Sequence, residues 1–272
     1  MTAPLILASP PILAGPLLDG IPHGFFTRLG GVSTGPFESL NCSMSSGDDP
    51  ALLRENRARA ARAIGVAPER LLGVTQVHGT DCVTVERAWP PGAGPCADAM
   101  VTRVPGLALG IITADCAPVL LADPRQGIVG AVHAGWRGAV AGILDATAAA
   151  MRALGAGPDL RAMIGPCIGP ASYEVGEDLR DAVLGAGMVR AEPFFATGSR
   201  AGHYWFDLPG YCAARLRGSG VGMVEWLGRD TLPDPRHFFS HRRRTLAGGG
   251  AIGHQISVIA CPDAHAGTGQ DA

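Results

Sequence analysis

Short apolar runs that end near reactive residues organise the middle of the chain. Leu107–Thr113 and Ile128–Val132 are the two strongest runs, and Pro118–Ala122 lies between them. Turn-forming residues bound these runs, which is typical of buried β-strands. Cys116 comes soon after the first run, and His133 directly follows the second. A residue just past a buried strand lies at the rim of a sheet, so we expect these two side chains to face a cleft.

The same pattern predicts the other elements of the fold. Strands are expected at residues 23–28, 71–77, 82–86, 161–164, 203–206, 223–227 and 256–260. Helices are expected at residues 49–65, 139–154, 177–184 and 208–216. Asp49-Pro50 supplies the first helix with an N-cap and a compatible first residue. We expect the arginines of that helix to form a solvated face: Arg54, Arg57, Arg59 and Arg62.

Strands and helices alternate without a regular βαβ order, and no repeat is visible. The pattern therefore favours an α+β fold, a single mixed, layered α/β sandwich with its site at strand ends. One catalytic domain is expected over residues 1–272, with an N-terminal segment at 1–20 and a loose tail at 262–272. The glycine-rich residues 240–253 are expected to form a long mobile loop, which could close over an anionic substrate or remain a plain solvated loop.

Composition narrows the class of protein. The chain is 47% hydrophobic and 17% charged with a net charge of −2, so it can bury a large core and offers no broad basic surface for nucleic acid. All 22 basic residues are arginine, which excludes lysine Schiff-base chemistry and a P-loop lysine. No uncharged apolar run is long enough for a membrane span. The seven scattered cysteines include no CxxC pair, which favours a reducing compartment and a cytoplasmic protein.

His78, Cys116 and His133 each follow an apolar run and form the strongest candidate site. Two imidazoles and one thiolate are a known catalytic zinc set that leaves the fourth position open, and copper would also suit these ligands. The same residues allow a thiolate nucleophile at Cys116 with a histidine as its base. They could also be a buried structural cysteine and two ordinary histidines, and spacing alone does not decide between these interpretations.

Neighbouring residues suggest further roles. Arg137 opens a helix directly after His133, and a helix start beside a guanidinium is a natural anion site; Arg28 could likewise hold a phosphate. Asp98 and Asp115 could pair as carboxylates, with Asp115 either orienting a ligand histidine or capping a turn. We expect Cys167 to be structural.

Motifs spread over residues 22–261 resemble those of the laccase-domain proteins, first labelled multicopper polyphenol oxidoreductases. Later descriptions of that family are purine nucleoside phosphorylase with adenosine deaminase activity and, for some members, peptidoglycan editing factor. The matching stretches are 23–33, Ser39-Leu40-Asn41, Thr75-Gln76-Val77-His78-Gly79, Asp98-Ala99-Met100, Thr113-Ala114-Asp115-Cys116, His133-Ala134-Gly135-Trp136-Arg137-Gly138, 164–169 and Tyr173-Glu174-Val175.

The resemblance implies that His78, Cys116 and His133 are the metal ligands and that Arg28 and Asn41 lie near the active site. Arg137 is added from its place at the helix start. Two positions depart from the family pattern: His254 stands where many members carry arginine, and His241 stands where the basic loop often has tyrosine. A multicopper centre needs more histidines than the eight present here, so a single His2Cys site is expected.

The expected function is a zinc-dependent enzyme, with copper as the alternative metal, that cleaves adenosine, inosine or methylthioadenosine with phosphate. Adenosine deamination is a second expected activity, for which the metal would lower the pKa of its bound water. The partners are then a purine nucleoside and phosphate, with no nucleic acid and no membrane, for a monomer or small homo-oligomer. A cysteine-dependent amide hydrolase acting on peptidoglycan precursors and a non-catalytic nucleoside-binding module are the two alternatives.

Overall fold

Fourteen strands and six α-helices make up the part of the chain that the structure, a computed structural model, describes, residues 9–187 and 189–262. The strands are β1 Ile12–Leu13, β2 His23–Phe26, β3 Leu71–Leu72, β4 Cys82–Thr84, β5 Ala99–Thr102, β6 Ala108–Thr113, β7 Ala117–Asp123, β8 Ile128–Ala134, β9 Arg161–Ile164, β10 Glu174–Gly176, β11 Phe195–Thr197, β12 His203–Phe206, β13 Met223–Trp226 and β14 Gln255–Ala260. The α-helices are α1 Pro50–Ala63, α2 Trp136–Ala141, α3 Ile143–Ala153, α4 Glu177–Gly185, α5 Leu208–Gly218 and α6 His241–Leu246.

Three sheets contain these strands. A six-stranded sheet has the order β13-β9-β7-β8-β5-β4, a five-stranded sheet has the order β1-β2-β14-β6-β3, and β10-β12-β11 form a third. Both large sheets are mixed: β13–β9, β4–β5 and β3–β6 are parallel pairs, and the other neighbours are antiparallel. The predicted mixed α+β fold is therefore confirmed.

The central hairpin of β7 and β8 is buried on both faces, as its continuous apolar sequence predicts. Because side chains alternate along a strand, Val119 and Leu121 pack with the helices on one face of the six-stranded sheet. Leu120 and Ala122 face the other way and pack with Leu109 of the five-stranded sheet. The two large sheets thus share an apolar interface.

Cys116 lies in the turn between β6 and β7, where the chain passes from one large sheet to the other. This turn joins two sheets, because β6 belongs to the five-stranded sheet and β7 to the six-stranded sheet. The predicted strand 71–77 is also shorter, since only Leu71–Leu72 is a strand. The candidate site therefore lies at a junction between two sheets.

Two predicted elements need correction. The helix expected at 139–154 is two helices, because Gly142 adopts φ 112°, which a right-handed helix cannot contain. The loop expected at 240–253 includes α6, whose N-cap Ser240 accepts a hydrogen bond from the backbone N–H of Arg243.

The boundaries of the predicted single domain, 1–272, stay a prediction. The predicted N-terminal segment 1–20 is described from residue 9 onward, and the predicted tail 262–272 lies outside the described residues from 263 onward. Over the described part of the chain, no helix has the length and hydropathy needed to cross a membrane.

Replacing Arg215 with methionine should destabilise the junction of α2 and α3. Its side chain is 1% exposed, donates to the carbonyl oxygens of Ala139 and Val140, and pairs with Asp145. Removing one partner of such a buried network should lower the free energy of unfolding by about 3 kcal/mol, measured by urea denaturation. Arg217→Met, on the exposed side of α5, should cost less than about 1 kcal/mol. Equal losses in the two variants would contradict this role.

Candidate metal centre and cavity

His78, Cys116 and His133, here called the metal triad, come together although they lie in three different segments. One ligand atom from each residue can be chosen so that all three lie within 4.8 Å of one another. His78 Nε2 is 3.8 Å from Cys116 Sγ, and the two imidazole rings meet edge to face at 4.6 Å between centroids. Two nitrogens and one sulfur at this separation fit a zinc-type site with a fourth position open to the cavity. The identity of the metal stays a prediction.

Asp98 holds two members of the metal triad in place. The carboxylate is fully buried and accepts a hydrogen bond from His133 Nδ1 at 2.7 Å. It also accepts hydrogen bonds from the backbone N–H groups of Val77, His78 and Gly79 at 3.2, 2.9 and 2.6 Å. Burial alone would raise the pKa of Asp98, but these hydrogen bonds lower it below its ordinary value. With Nδ1 donating to the carboxylate, Nε2 of His133 is left as the ligand atom.

Cys116 and His133 shift one another's pKa. Burial disfavours the thiolate, but the attraction of His133 and hydrogen bonds from both histidines lower the pKa of Cys116 to about 6. Burial also disfavours the imidazolium, but Cys116 and Asp98 raise the pKa of His133 to about 9. At neutral pH the metal-free pair is thus a thiolate and an imidazolium. Since a metal needs a neutral imidazole, metal binding should release a proton from His133.

The backbone around the ligands is strained. His78 adopts φ 61° and Asp115 adopts φ 86°, a region that residues other than glycine rarely occupy. Gly135 lies against the ligands so closely that a Cβ there would be 2.9 Å from His78 Cδ2 and 3.0 Å from Cys116 Sγ. A larger residue at position 135 would therefore displace the side chain of His78 or Cys116.

Asp115 supports the loop around the site and does not orient a ligand histidine. Its carboxylate accepts hydrogen bonds from Thr231 Oγ1, Ser240 Oγ and the backbone N–H of Arg242. Of the two roles considered for Asp115, the structure therefore shows the capping role. Asp98 is the carboxylate that orients His133.

A cavity of about 750 Å³ opens beside the metal triad, which is within the usual range for small-ligand sites. Aromatic and cationic side chains form much of its wall. Besides the metal triad, its polar and aromatic lining includes Arg57, Gln76, Thr113, Trp136, Arg137, Tyr173, His241, Arg242 and His254.

The predicted binding residues take different positions. Arg137 lines the cavity, and its guanidinium lies 4.5 Å from the ring centroid of Trp136. Arg28 is not part of the described cavity lining; its guanidinium donates to the carbonyl oxygens of Glu38 and Pro235. Asn41 is fully buried behind the wall. Their predicted roles in binding stay predictions.

Arg57 is the site residue that we placed wrongly from the sequence. We expected it on the solvated face of α1, but it is only 9% exposed and lines the cavity. The missed signal is the helical period: Leu53, Arg57, Ala60, Ala61 and Ile64 recur at helical spacing on the buried face of the helix.

Cys167 is fully buried, as expected of a structural residue.

These features define the class of protein: a mixed α+β fold with two large sheets and a small third sheet, in which two histidines and a cysteine are placed to bind a metal. The family model described as multi-copper polyphenol oxidoreductase laccase matches residues 22–262, and the chain belongs to this family. The resemblance that we drew from the sequence motifs is therefore confirmed.

Curated relatives and solved structures agree with this assignment. The chain is 42% identical to a purine nucleoside phosphorylase of Deinococcus radiodurans over 276 residues, which cover 99% of each chain. It is 46% identical to one of Streptomyces coelicolor over 229 residues, 84% of this chain and 93% of the relative. The crystal structure of a Neisseria meningitidis protein superimposes with a TM-score of 0.82 at 34% identity, covering 93% of this chain and 99% of that one.

Gly135→Ala should weaken metal binding without unfolding the protein. The added methyl group would push against His78 and Cys116 and separate two ligands. We expect zinc affinity to fall roughly 10–100-fold, the range for perturbed ligand orientation, measured by competition with a chromophoric chelator. Gly218→Ala, where a Cβ meets nothing within 4 Å, is the matched control. Unchanged zinc affinity in Gly135→Ala would show that the ligands adapt.

The rate at which Cys116 is alkylated in metal-free protein should depend on pH with an unusually low apparent pKa. Because its pKa is lowered to about 6, the thiolate forms as the pH rises through 6 and is nearly complete at 7. Iodoacetamide labelling of the Cys116 peptide, followed by mass spectrometry, should therefore level off above pH 7. Free N-acetylcysteine should keep gaining rate beyond pH 8. If Cys116 labelling keeps rising between pH 7 and 8 as steeply as that of N-acetylcysteine, the thiolate–imidazolium pair is absent.

Proposed function

We propose that this protein is a metal-dependent purine nucleoside phosphorylase. The metal triad beside a cavity of about 750 Å³ carries the proposal, and the names of the curated relatives support it. The proposed substrates are adenosine, inosine and methylthioadenosine, with adenosine deamination as a second activity. Zinc is the proposed metal and copper the alternative, and the cytoplasm is the proposed location.

In phosphorolysis, a phosphate oxygen forms a bond to C1′ of the ribose while the bond from C1′ to the purine nitrogen breaks. The base leaves and takes up a proton. The chain must therefore hold nucleoside and phosphate in line and exclude competing water. A divalent ion in the metal triad would supply Lewis-acid activation at the substrate.

The residues around the metal triad have separate roles in this proposal. Asp98 keeps His133 oriented, and Trp136 and Tyr173 offer apolar surface to the base. Arg137, on the cavity wall beside Trp136, is the proposed contact to the polar part of the substrate. Arg28 and Asn41 are proposed to act through the segments that they support.

A cysteine-dependent amide hydrolase acting on peptidoglycan precursors is the second candidate. The lowered pKa of Cys116 and its 3.8 Å separation from His78 Nε2 favour it, since they would also suit a nucleophile with its base. The two functions differ in their need for metal, because a cysteine hydrolase should remain active in the presence of a chelator.

The deciding experiment follows adenosine by chromatography with zinc-loaded protein, with and without phosphate. Adenine and ribose 1-phosphate, formed only with phosphate, are the expected products, and inosine formed without phosphate would demonstrate deamination. Cys116→Ala should lose bound zinc and at least about 100-fold in rate, whereas the exposed Cys96→Ala should keep both. Full activity in Cys116→Ala, or adenosine left intact by the zinc-loaded protein, would refute the proposal. Binding without turnover would indicate a binding module.

A further inference from the structure

Two cavities meet at a wall made of two aromatic rings and two guanidinium groups. A second cavity of about 350 Å³ lies next to the one that the metal triad lines. Trp136, Arg137, Tyr173 and Arg242 line both cavities, and we call these four residues the shared wall. Arg137 Cζ lies 4.5 Å from the ring centroid of Trp136, and Arg242 Cζ lies 5.3 Å from that of Tyr173. Each aromatic ring therefore positions one positive charge where the cavities meet.

Neither guanidinium of the shared wall is neutralised by a carboxylate. Among the described residues, the Arg137 side chain has no hydrogen-bond partner. The Arg242 guanidinium has one such partner, the backbone carbonyl oxygen of Glu174, at 2.9 Å from Nη1. No carboxylate in the described part of the chain forms an ion pair with either group. Several N–H groups of both side chains are therefore available to a ligand.

The acidic residues around the shared wall make their contacts elsewhere. The carboxylate of Asp115 accepts its hydrogen bonds from Thr231, Ser240 and a backbone N–H group. The carboxylate of Glu174 accepts from the Ser199 hydroxyl and from Arg200 Nε. The two positive charges of the shared wall should consequently attract an anion from either cavity.

Asp178 is the further acidic residue in the lining of the second cavity. It is exposed to solvent near the start of α4 and forms no ion pair with Arg137 or Arg242. An exposed carboxylate interacts weakly with charges that it does not contact, because water and salt screen it. Asp178 therefore leaves the charge of the shared wall positive.

The Tyr173 hydroxyl adds an uncharged donor between the two guanidinium groups and the metal triad. It has no hydrogen-bond partner among the described residues, yet it is not enclosed, so it faces the cavity. Burial raises its pKa, and the charges of Cys116 and Asp115 raise it further, so the hydroxyl keeps its proton at neutral pH. The charges of Arg242 and Arg137 act on this pKa in the opposite direction. Because such effects weaken with distance, both guanidinium groups lie near the hydroxyl.

The backbone also connects the shared wall to the metal triad. Gly135 lies against the ligand side chains, and Arg137 is two residues further on, so their Cα atoms are at most about 8 Å apart. On the other side, the backbone N–H of Arg242 donates to the carboxylate of Asp115 at 2.6 Å, and Asp115 directly precedes Cys116. An anion at the shared wall would therefore be bound next to the metal triad.

We infer that Arg137, Arg242 and the Tyr173 hydroxyl bind inorganic phosphate where the two cavities meet, an inference that rests on the proposed function. Planar guanidinium groups suit phosphate because two N–H groups can donate to two of its oxygens. The hydroxyl donates to a further oxygen. The second cavity gives phosphate a route to this position that does not pass a nucleoside in the first cavity. The phosphate group of a nucleotide has the same chemistry and is the rival source.

Equilibrium binding tests the site without requiring turnover. Zinc-loaded protein is titrated with inorganic phosphate, and separately with adenosine 5′-monophosphate, at constant ionic strength with calorimetry as readout. Arg242→Gln should weaken phosphate binding about 10–100-fold, since it removes a charged donor. Arg180→Gln is the matched control: Arg180 also lies over a tyrosine ring, 4.6 Å from the centroid of Tyr204, but lines neither cavity.

The comparison also separates the shared wall from the zinc ion and from a nucleotide site. Equal phosphate affinity in the unaltered protein, Arg242→Gln and Arg180→Gln would overturn the inference, because any bound phosphate would then be held by zinc or by other residues. A loss of affinity for the monophosphate alone would overturn it as well. Weaker binding of inorganic phosphate in Arg242→Gln alone is the supporting result.

Tyr173→Phe keeps the test valid if Arg242→Gln folds poorly. The change removes a hydroxyl that has no partner within the described chain and keeps the aromatic ring, so the melting temperature should stay unchanged or rise. Phosphate affinity should fall about tenfold for one lost hydrogen bond, and unchanged affinity would overturn the assignment. An unchanged KM for phosphate in phosphorolysis by Arg242→Gln would refute the inference alone. Phosphate binding that depends on Arg242 but accompanies no turnover of adenosine would refute only the proposed function.

Discussion

The carboxylate of Asp98 is the constraint on which the site depends. It is fully buried and accepts four hydrogen bonds, three from the backbone of residues 77–79 and one from His133. A buried charge is tolerated only with such compensation, so its position fixes the positions of its donors. Because His78 belongs to that loop and His133 lies on β8, one carboxylate aligns two members of the metal triad from separate segments. The strained φ of His78, which costs about 1–3 kcal/mol, persists because these bonds hold it.

Cys116, the third member of the metal triad, depends on another buried carboxylate, that of Asp115. Asp115 also has a positive φ, and its side chain accepts hydrogen bonds from Thr231, Ser240 and the start of α6. Its backbone carbonyl accepts from Ile168 as well. These contacts hold the β6–β7 turn, and Cys116 is the next residue. Of the two strained positions, His78 belongs to the metal triad and Asp115 directly precedes Cys116. A buried carboxylate stabilises each of them.

The strands that are buried along their whole length could be predicted from the sequence, and so could the candidate site residues beside them. Residues 161–164 and 203–206 were predicted with their observed bounds, and Cys116 and His133 were found from the strands beside them. The sheet junction could not be predicted, since pairing of β6 with β14 is decided by contacts distant in sequence. Arg57 was misplaced because charge was weighed above helical spacing. Arginines are rarely buried, so residue type alone predicts an exposed side chain. Only the position of Arg57 among the apolar residues of α1 could have indicated that it is buried.

The cavity depends on both large sheets because neither contributes a complete wall. In the metal triad, Cys116 lies in the turn after β6, and His133 lies on β8 of the six-stranded sheet. On another part of the wall, Thr113 belongs to the five-stranded sheet and His254 directly precedes its strand β14. Asn41 connects the latter region: its side-chain oxygen accepts from the backbone N–H groups of Ser43 and His254. Asn41 lies behind the wall, yet it fixes two segments of it. A residue that the motifs place near the site can therefore contribute by holding the backbone of the cavity wall in position. For this reason, membership of a motif does not distinguish residues that contact a ligand from residues that support the wall.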